Sequence, residues 1–130
     1  MTRYLLLCFA LMLGAVLLVA ERPAAALQAY DDCPANATQL AQSNQPVRCR
    51  CDAAATRRGT VWGDDIYTSD SSICRAALHA GVIDANGGLV TLDPEQGRQG
   101  YAGSRRNGVE TLRFGAWLRS FRVLRGGDWP

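Results

Sequence analysis

Tyr67-Thr68-Ser69-Asp70-Ser71-Ser72-Ile73-Cys74-Arg75-Ala76-Ala77-Leu78-His79-Ala80-Gly81-Val82-Ile83 reads as a short helix with both ends marked. Asp70, Ser71 and Ser72 each carry a side-chain oxygen able to accept an orphan backbone N–H at a helix start. Gly81 follows the last helical position, where a left-handed residue closes a helix and glycine adopts that geometry without a Cβ penalty. Ile73, Cys74, Ala76, Ala77, Leu78 and Ala80 cover nearly the whole circumference, and a helix apolar on most sides is buried on most sides. The small side chains let neighbouring segments approach closely. The stretch therefore predicts a central helix that the rest of the chain wraps, with Cys74 tying it to another segment.

Upstream, Thr2-Arg3-Tyr4 gives a positively charged start and Leu5 to Ala20 a continuous apolar run. That run has the length of a signal-peptide core and is short for a membrane span. Glu21-Arg22-Pro23 breaks it, and Ala24-Ala25-Ala26 supplies a cleavage site. The reading is a signal peptide over 1–26 and a single domain over 27–130 with its core at about 33–123; an uncleaved anchor is the alternative. The exported product would be periplasmic or extracellular, touching the membrane only through the cleaved signal. Removing Arg3, Glu21 and Arg22 takes one positive charge from a formal net charge of +2, leaving about +1. Such a balance does not point to nucleic-acid binding.

Four cysteines remain in the mature chain: Cys33, Cys49, Cys51 and Cys74. An even count in a small exported domain implies two disulfides. A bridge between Cys49 and Cys51, two residues apart, would be strained. Two pairings stay open: Cys33–Cys49 with Cys51–Cys74, or Cys33–Cys51 with Cys49–Cys74. A metal site is the weaker reading, because no Cys-x-x-Cys occurs and the only histidine is His79.

Pro46 to Cys51 alternates as a half-buried strand does, with Val47, Cys49 and Cys51 inward and Arg48 and Arg50 outward. Thr60 to Gly63 is a short strand, and Asp64-Asp65 turns the chain into Ile66-Tyr67. Leu89 to Leu92 is the next strand, stopped by Asp93-Pro94. Asn107-Gly108 marks a hairpin turn. Val109 to Phe114 alternates, with Val109 and Thr111 opposite Glu110, Leu112 and Phe114. Trp117 to Leu124 is the last strand. Short strands around one central helix make an α+β fold.

The pattern Ser71-Ser72-Ile73-Cys74-x-Ala76-Ala77-x-His79-x-Gly81-Val82-Ile83 resembles the LCCL domain. Val61-Trp62-Gly63, Tyr67-Thr68, Gly87-Gly88, Tyr101, Asn107-Gly108 and Ser120-Phe121 extend the resemblance from about Cys33 to Val123. It implies β-strands around a helix, and it favours the pairing Cys33–Cys49 with Cys51–Cys74, although the family spaces its middle cysteines more widely. It implies a non-enzymatic binding or structural module without a cofactor; lipopolysaccharide or another glycan is suggested as ligand for some members.

The residues agree on catalysis. A serine nucleophile needs a base within reach. His79 lies two turns from Ser72, about 10 Å along the axis at 1.5 Å per residue. Asp64 and Asp65 are adjacent turn residues, not two carboxylates at a working separation, and Asp70 is assigned to capping the helix. Binding is better supported. Trp62 and Tyr67 flank a polar loop and could stack on a sugar; the blander role for Trp62 is to cover the helix end. His79 is either a ligand contact or a partly buried residue satisfied by a backbone group. Arg105 and Arg106, at the hairpin tip, should project into solvent and suit an anionic glycan, unless they simply form a solvated face. The rival reading is a structural module that joins another envelope protein.

Overall fold

A computed structural model of the chain describes residues 30–128. The signal-peptide reading of residues 1–26 lies outside the described residues. The strands are β1 (Val47–Asp52), β2 (Gly63–Asp64), β3 (Ile66–Thr68), β4 (Gly87–Gln96), β5 (Arg105–Arg106), β6 (Val109–Glu110) and β7 (Arg119–Arg125), and α1 spans Ile73–Ala80. Five strands form one antiparallel sheet in the order β1-β4-β7-β3-β2, and β5 and β6 form a separate hairpin. The helix packs against β4 and β7 of the sheet, against the hairpin, and against a 3-10 turn at Ala55–Arg57. The expected α+β arrangement, a helix wrapped by strands, is the architecture observed.

Helix α1 starts and stops where its end residues require. Ser72 is the N-cap, its hydroxyl accepting the Arg75 N–H at 3.3 Å. The capping role assigned to Asp70 is thus corrected: Asp70 lies in the turn two residues upstream. At the other end Gly81 takes φ 78°. Its N–H bonds the Leu78 carbonyl at 3.0 Å and the Val82 N–H bonds the Ala77 carbonyl at 3.1 Å, which is a Schellman closure. No residue of the helix is exposed, and Ile73, Cys74, Ala76, Ala77 and His79 are buried. Ile73, Cys74, Ala76 and Ala77 meet Tyr67, Val90, Leu92, Phe121 and Val123 from the sheet, together with Val61, in one core.

The bridges are Cys33–Cys49 and Cys51–Cys74, with Cα separations of 4.8 and 5.5 Å. Cys49 and Cys51 both face inward on β1 while Arg50 faces out. Arg48 is half-buried, not fully outward. Residues 31–33 cover the outer edge of β1, with the Cys33 N–H on the Arg50 carbonyl at 2.8 Å, which sets Cys33 beside its partner. Each bridge closes a loop of 16 or 23 residues, worth roughly 3 kcal/mol in the chain-entropy estimate.

Several strand boundaries differ from the expected ones. Asp93-Pro94 does not stop its strand, because β4 runs on to Gln96. The last β1 partner of β4 is Leu92, so Pro94 pairs only with Phe121 of β7 and its missing N–H falls on the unpaired side. The strand expected from Val109 to Phe114 is regular only over β6; beyond it Leu112 and Phe114 make isolated bridges to Trp62 and Tyr101. Trp62 is likewise held by that bridge, and β2 begins one residue later. The Asn107-Gly108 hairpin is as expected, with φ 51° and 76° at its two turn residues.

Candidate functional site

Three groups of side chains bear on function, and the first is buried. Tyr67 and His79 are both 0 % exposed. Tyr67 on β3 and His79 on α1 meet with their rings edge to face at 5.7 Å. His79 Nδ1 is 2.8 Å from the Tyr67 hydroxyl, and Nε2 is 3.0 Å from the Ser104 hydroxyl. Neither ring is available for stacking on a sugar, which corrects the expected contact role of both residues. Two side-chain hydroxyls, not a backbone group alone, satisfy the imidazole.

A serine beside a histidine raises the question of an activated nucleophile. The Ser104 hydroxyl meets Nε2 of a ring that is fully buried and whose Nδ1 faces the Tyr67 hydroxyl. With the ring enclosed between two hydroxyls, the contact ties the Ser104 segment to α1. Burial, with the Arg106 charge as a second cause, lowers the His79 pKa and keeps the ring neutral. Burial raises the Tyr67 phenol well above its ordinary value.

The second group fixes the hairpin. Arg106 Nη1 donates to Asp64 Oδ1 at 3.1 Å and to Asp65 Oδ1 at 2.6 Å. Partial burial would raise Asp64, but hydrogen bonds from Arg106 and Ser104 outweigh it and hold its carboxyl below the usual range. Asn107 Nδ2 donates to the His79 carbonyl at 2.8 Å, docking the hairpin tip on the end of α1. Arg106 therefore does not project freely into solvent as expected; it pins β5–β6 to the β2–β3 turn. Arg105, opposite Glu110, is exposed.

The third group is on the surface. Phe114 contacts Trp62 and Trp117 edge to face, at ring separations of 6.2 and 5.6 Å. Trp117 is oriented by its indole N–H on the Ser69 hydroxyl at 3.0 Å. Leu112 pairs with Trp62 across the parallel bridge, so the two side chains share a face. Phe114 is 43 % and Leu112 49 % exposed. Leu112 also lines, with Arg105, Arg113, Glu110 and Ser104, a depression of about 350 Å³. One surface thus joins an apolar row to two exposed guanidinium groups. Of the residues expected at a site, it takes in Trp62 and Arg105 and leaves out Tyr67, His79 and Arg106. Leu112, Phe114 and Trp117, which line this surface, were not singled out as site candidates in the sequence. The alternation from Val109 to Phe114 was the available signal, since it already set Leu112 and Phe114 opposite the buried Val109 and Thr111.

The Sγ atoms of Cys33, Cys51 and Cys74 lie within 4.8 Å of one another, but each is bonded to another sulfur and is no thiolate donor. Among the described residues no helix is long and apolar enough to cross a membrane.

The chain matches the LCCL domain model over residues 26–121. Vitrin from Homo sapiens is 47% identical over 64 residues, covering 49% of this chain and 9% of Vitrin. Clotting factor C from Tachypleus tridentatus is 39% identical over 93 residues, 70% of this chain and 9% of that protein. Cochlin from Homo sapiens is 40% identical over 67 residues, 52% of this chain and 12% of Cochlin. The chain thus spans only a small part of each of these relatives. A capped, enclosed helix bearing Ser71-Ser72-Ile73-Cys74, two bridges and a matching family model lead to one conclusion: the chain belongs to the LCCL domain family.

Proposed function

We propose that this LCCL domain is an exported, non-enzymatic binding module for an anionic envelope glycolipid of the lipopolysaccharide class. The observation that carries the reading is the continuity at Leu112 between the Trp62–Phe114–Trp117 row and the depression lined by Arg105 and Arg113. Guanidinium groups bind phosphate or carboxylate in two-pronged fashion. Exposed aromatic rings take the apolar face of a sugar or an acyl chain. An anionic glycolipid offers both chemistries side by side. Residues 1–26 act as the export signal and 27–130 form the mature unit.

The exposed apolar row also suits a protein partner, which is the competing reading. Calorimetric titration of the mature protein with lipopolysaccharide, intact and dephosphorylated, separates the two. Arg105→Gln with Arg113→Gln should weaken binding of the intact glycolipid, more at low than at high salt because the charges are exposed and screened. The melting temperature should hardly move. An unmeasurable wild-type affinity, or a double variant that binds as wild type does, removes the glycolipid reading and leaves the protein partner.

A further inference from the structure

The two disulfides are neighbours in space as well as in sequence. Cys49 and Cys51 lie on the inward face of β1 with one residue between them, so their bridges run side by side. Cys33 Sγ is 3.6 Å from Cys51 Sγ, sulfurs that belong to different bridges. A separate apolar hollow of about 340 Å³ opens onto the pair; Cys33, Cys74, Ala55, Ser72 and Arg58 line it. Cys33 of one bridge, half-buried, and Cys74 of the other, buried, thus both form part of its wall. Cys74 is the second residue of α1, at the positive end of the helix dipole, and the exposed Arg58 adds a positive charge at the mouth.

From this geometry we infer that the hollow is a thiol–disulfide exchange site for a low-molecular-mass thiol, and that exchange there moves a bridge to Cys33–Cys51. The incoming thiolate attacks Cys74 Sγ; a new sulfur–sulfur bond forms and the Cys51–Cys74 bond breaks, with the electron pair leaving on Cys51. The Cys51 thiolate then attacks the adjacent Cys33 Sγ and expels Cys49 as thiolate, which takes a proton from water. One thiolate enters and one leaves, so the sequence needs no oxidant. The product keeps one internal bridge, carries the small thiol on Cys74, and has lost the covalent tie between α1 and β1. The cleft thus reports the thiol content of the compartment by loosening the central helix.

Reduced glutathione is the probe. The native mature protein is incubated with it, quenched with iodoacetamide and digested with trypsin, which cuts after Arg48 and Arg50 and so separates Cys49 from Cys51. The expected products are a Cys33–Cys51 cross-linked peptide, glutathione on Cys74 and an alkylated Cys49. Glutathione found on Cys33 with Cys51–Cys74 intact overturns the inference, and so does an absence of any Cys33–Cys51 peptide. Cys74→Ser is an independent check, because it leaves Cys51 free beside the Cys33–Cys49 bridge. Oxidised Cys74→Ser should yield Cys33–Cys51 with Cys49 alkylated in part of the population. Recovery of Cys33–Cys49 alone, with Cys51 wholly alkylated, counts against it.

Discussion

The Arg106 guanidinium donates to Asp64 and Asp65 at once, whereas its neighbour Arg105 faces solvent. Adjacent arginines should therefore behave differently. Arg106→Gln should lower unfolding stability by about 1 kcal/mol, the scale of partly exposed ion pairs. Arg105→Gln should change it by less than about 0.5 kcal/mol. Urea midpoints compare the two, and equal values would mean that the hairpin does not rest on this ion pair. His79 gives the pH response. Arg106, Asp64 and Asp65 act on it through their charges, yet burial is the largest effect and lowers its pKa. The unfolded chain then binds a proton, below its ordinary value of about 6.5, that the folded state refuses. The stability linked to His79 is complete above about pH 6.5 and falls as pH drops through that value toward the lower folded one. His79→Gln should flatten the urea-midpoint profile between pH 7 and 5. An unchanged slope would assign the acid sensitivity to other groups.

At the scale of the element, α1 is enclosed by β4, β7, the hairpin and a 3-10 turn, so its small residues are a packing requirement. Ala77 is 0 % exposed. Ala77→Leu should cost roughly 1–3 kcal/mol through overpacking. Ser72→Ala removes the N-cap acceptor and should cost about 1 kcal/mol. Denaturant titration of both variants tests the enclosure, and an Ala77→Leu midpoint equal to wild type would place that face in solvent. The caps and the Asn107-Gly108 turn were legible in the sequence because each is decided within a few residues. The end of β4 was not. Whether a strand tolerates Pro94 depends on which side its neighbour lies, and β1 has already left the sheet there.

For the molecule as a whole, sheet and helix share one core, while the row through Trp62, Phe114 and Trp117 remains at the surface. Folding and the proposed recognition are therefore open to separate tests. Phe114→Ala removes a ring that is nearly half exposed and should cost well under the roughly 3–5 kcal/mol of a buried phenylalanine. It should still weaken the proposed glycolipid binding, as Arg105→Gln should, but without a salt dependence. Calorimetry beside a melting curve distinguishes the cases: a large loss of stability would make Phe114 part of the core, and unaltered binding would remove it from the contact surface.

The sequence by itself determined the central helix, its caps, the hairpin turn, the even cysteine count and the family, because these depend on local chemistry and on a long run of matching residues. It left two disulfide pairings open on geometry alone. It also ranked Tyr67, His79 and Arg106 as contact residues from residue type. Only the tertiary structure decided those assignments. Ser104 reaches His79 across 25 residues, and Asp65 reaches Arg106 across 41. The docking of the β5–β6 hairpin on the end of α1 and on the β2–β3 turn brings such distant positions together. Whether an aromatic ring is buried or offered to a ligand depends on what lies over it, and that cover comes from residues far away in the chain.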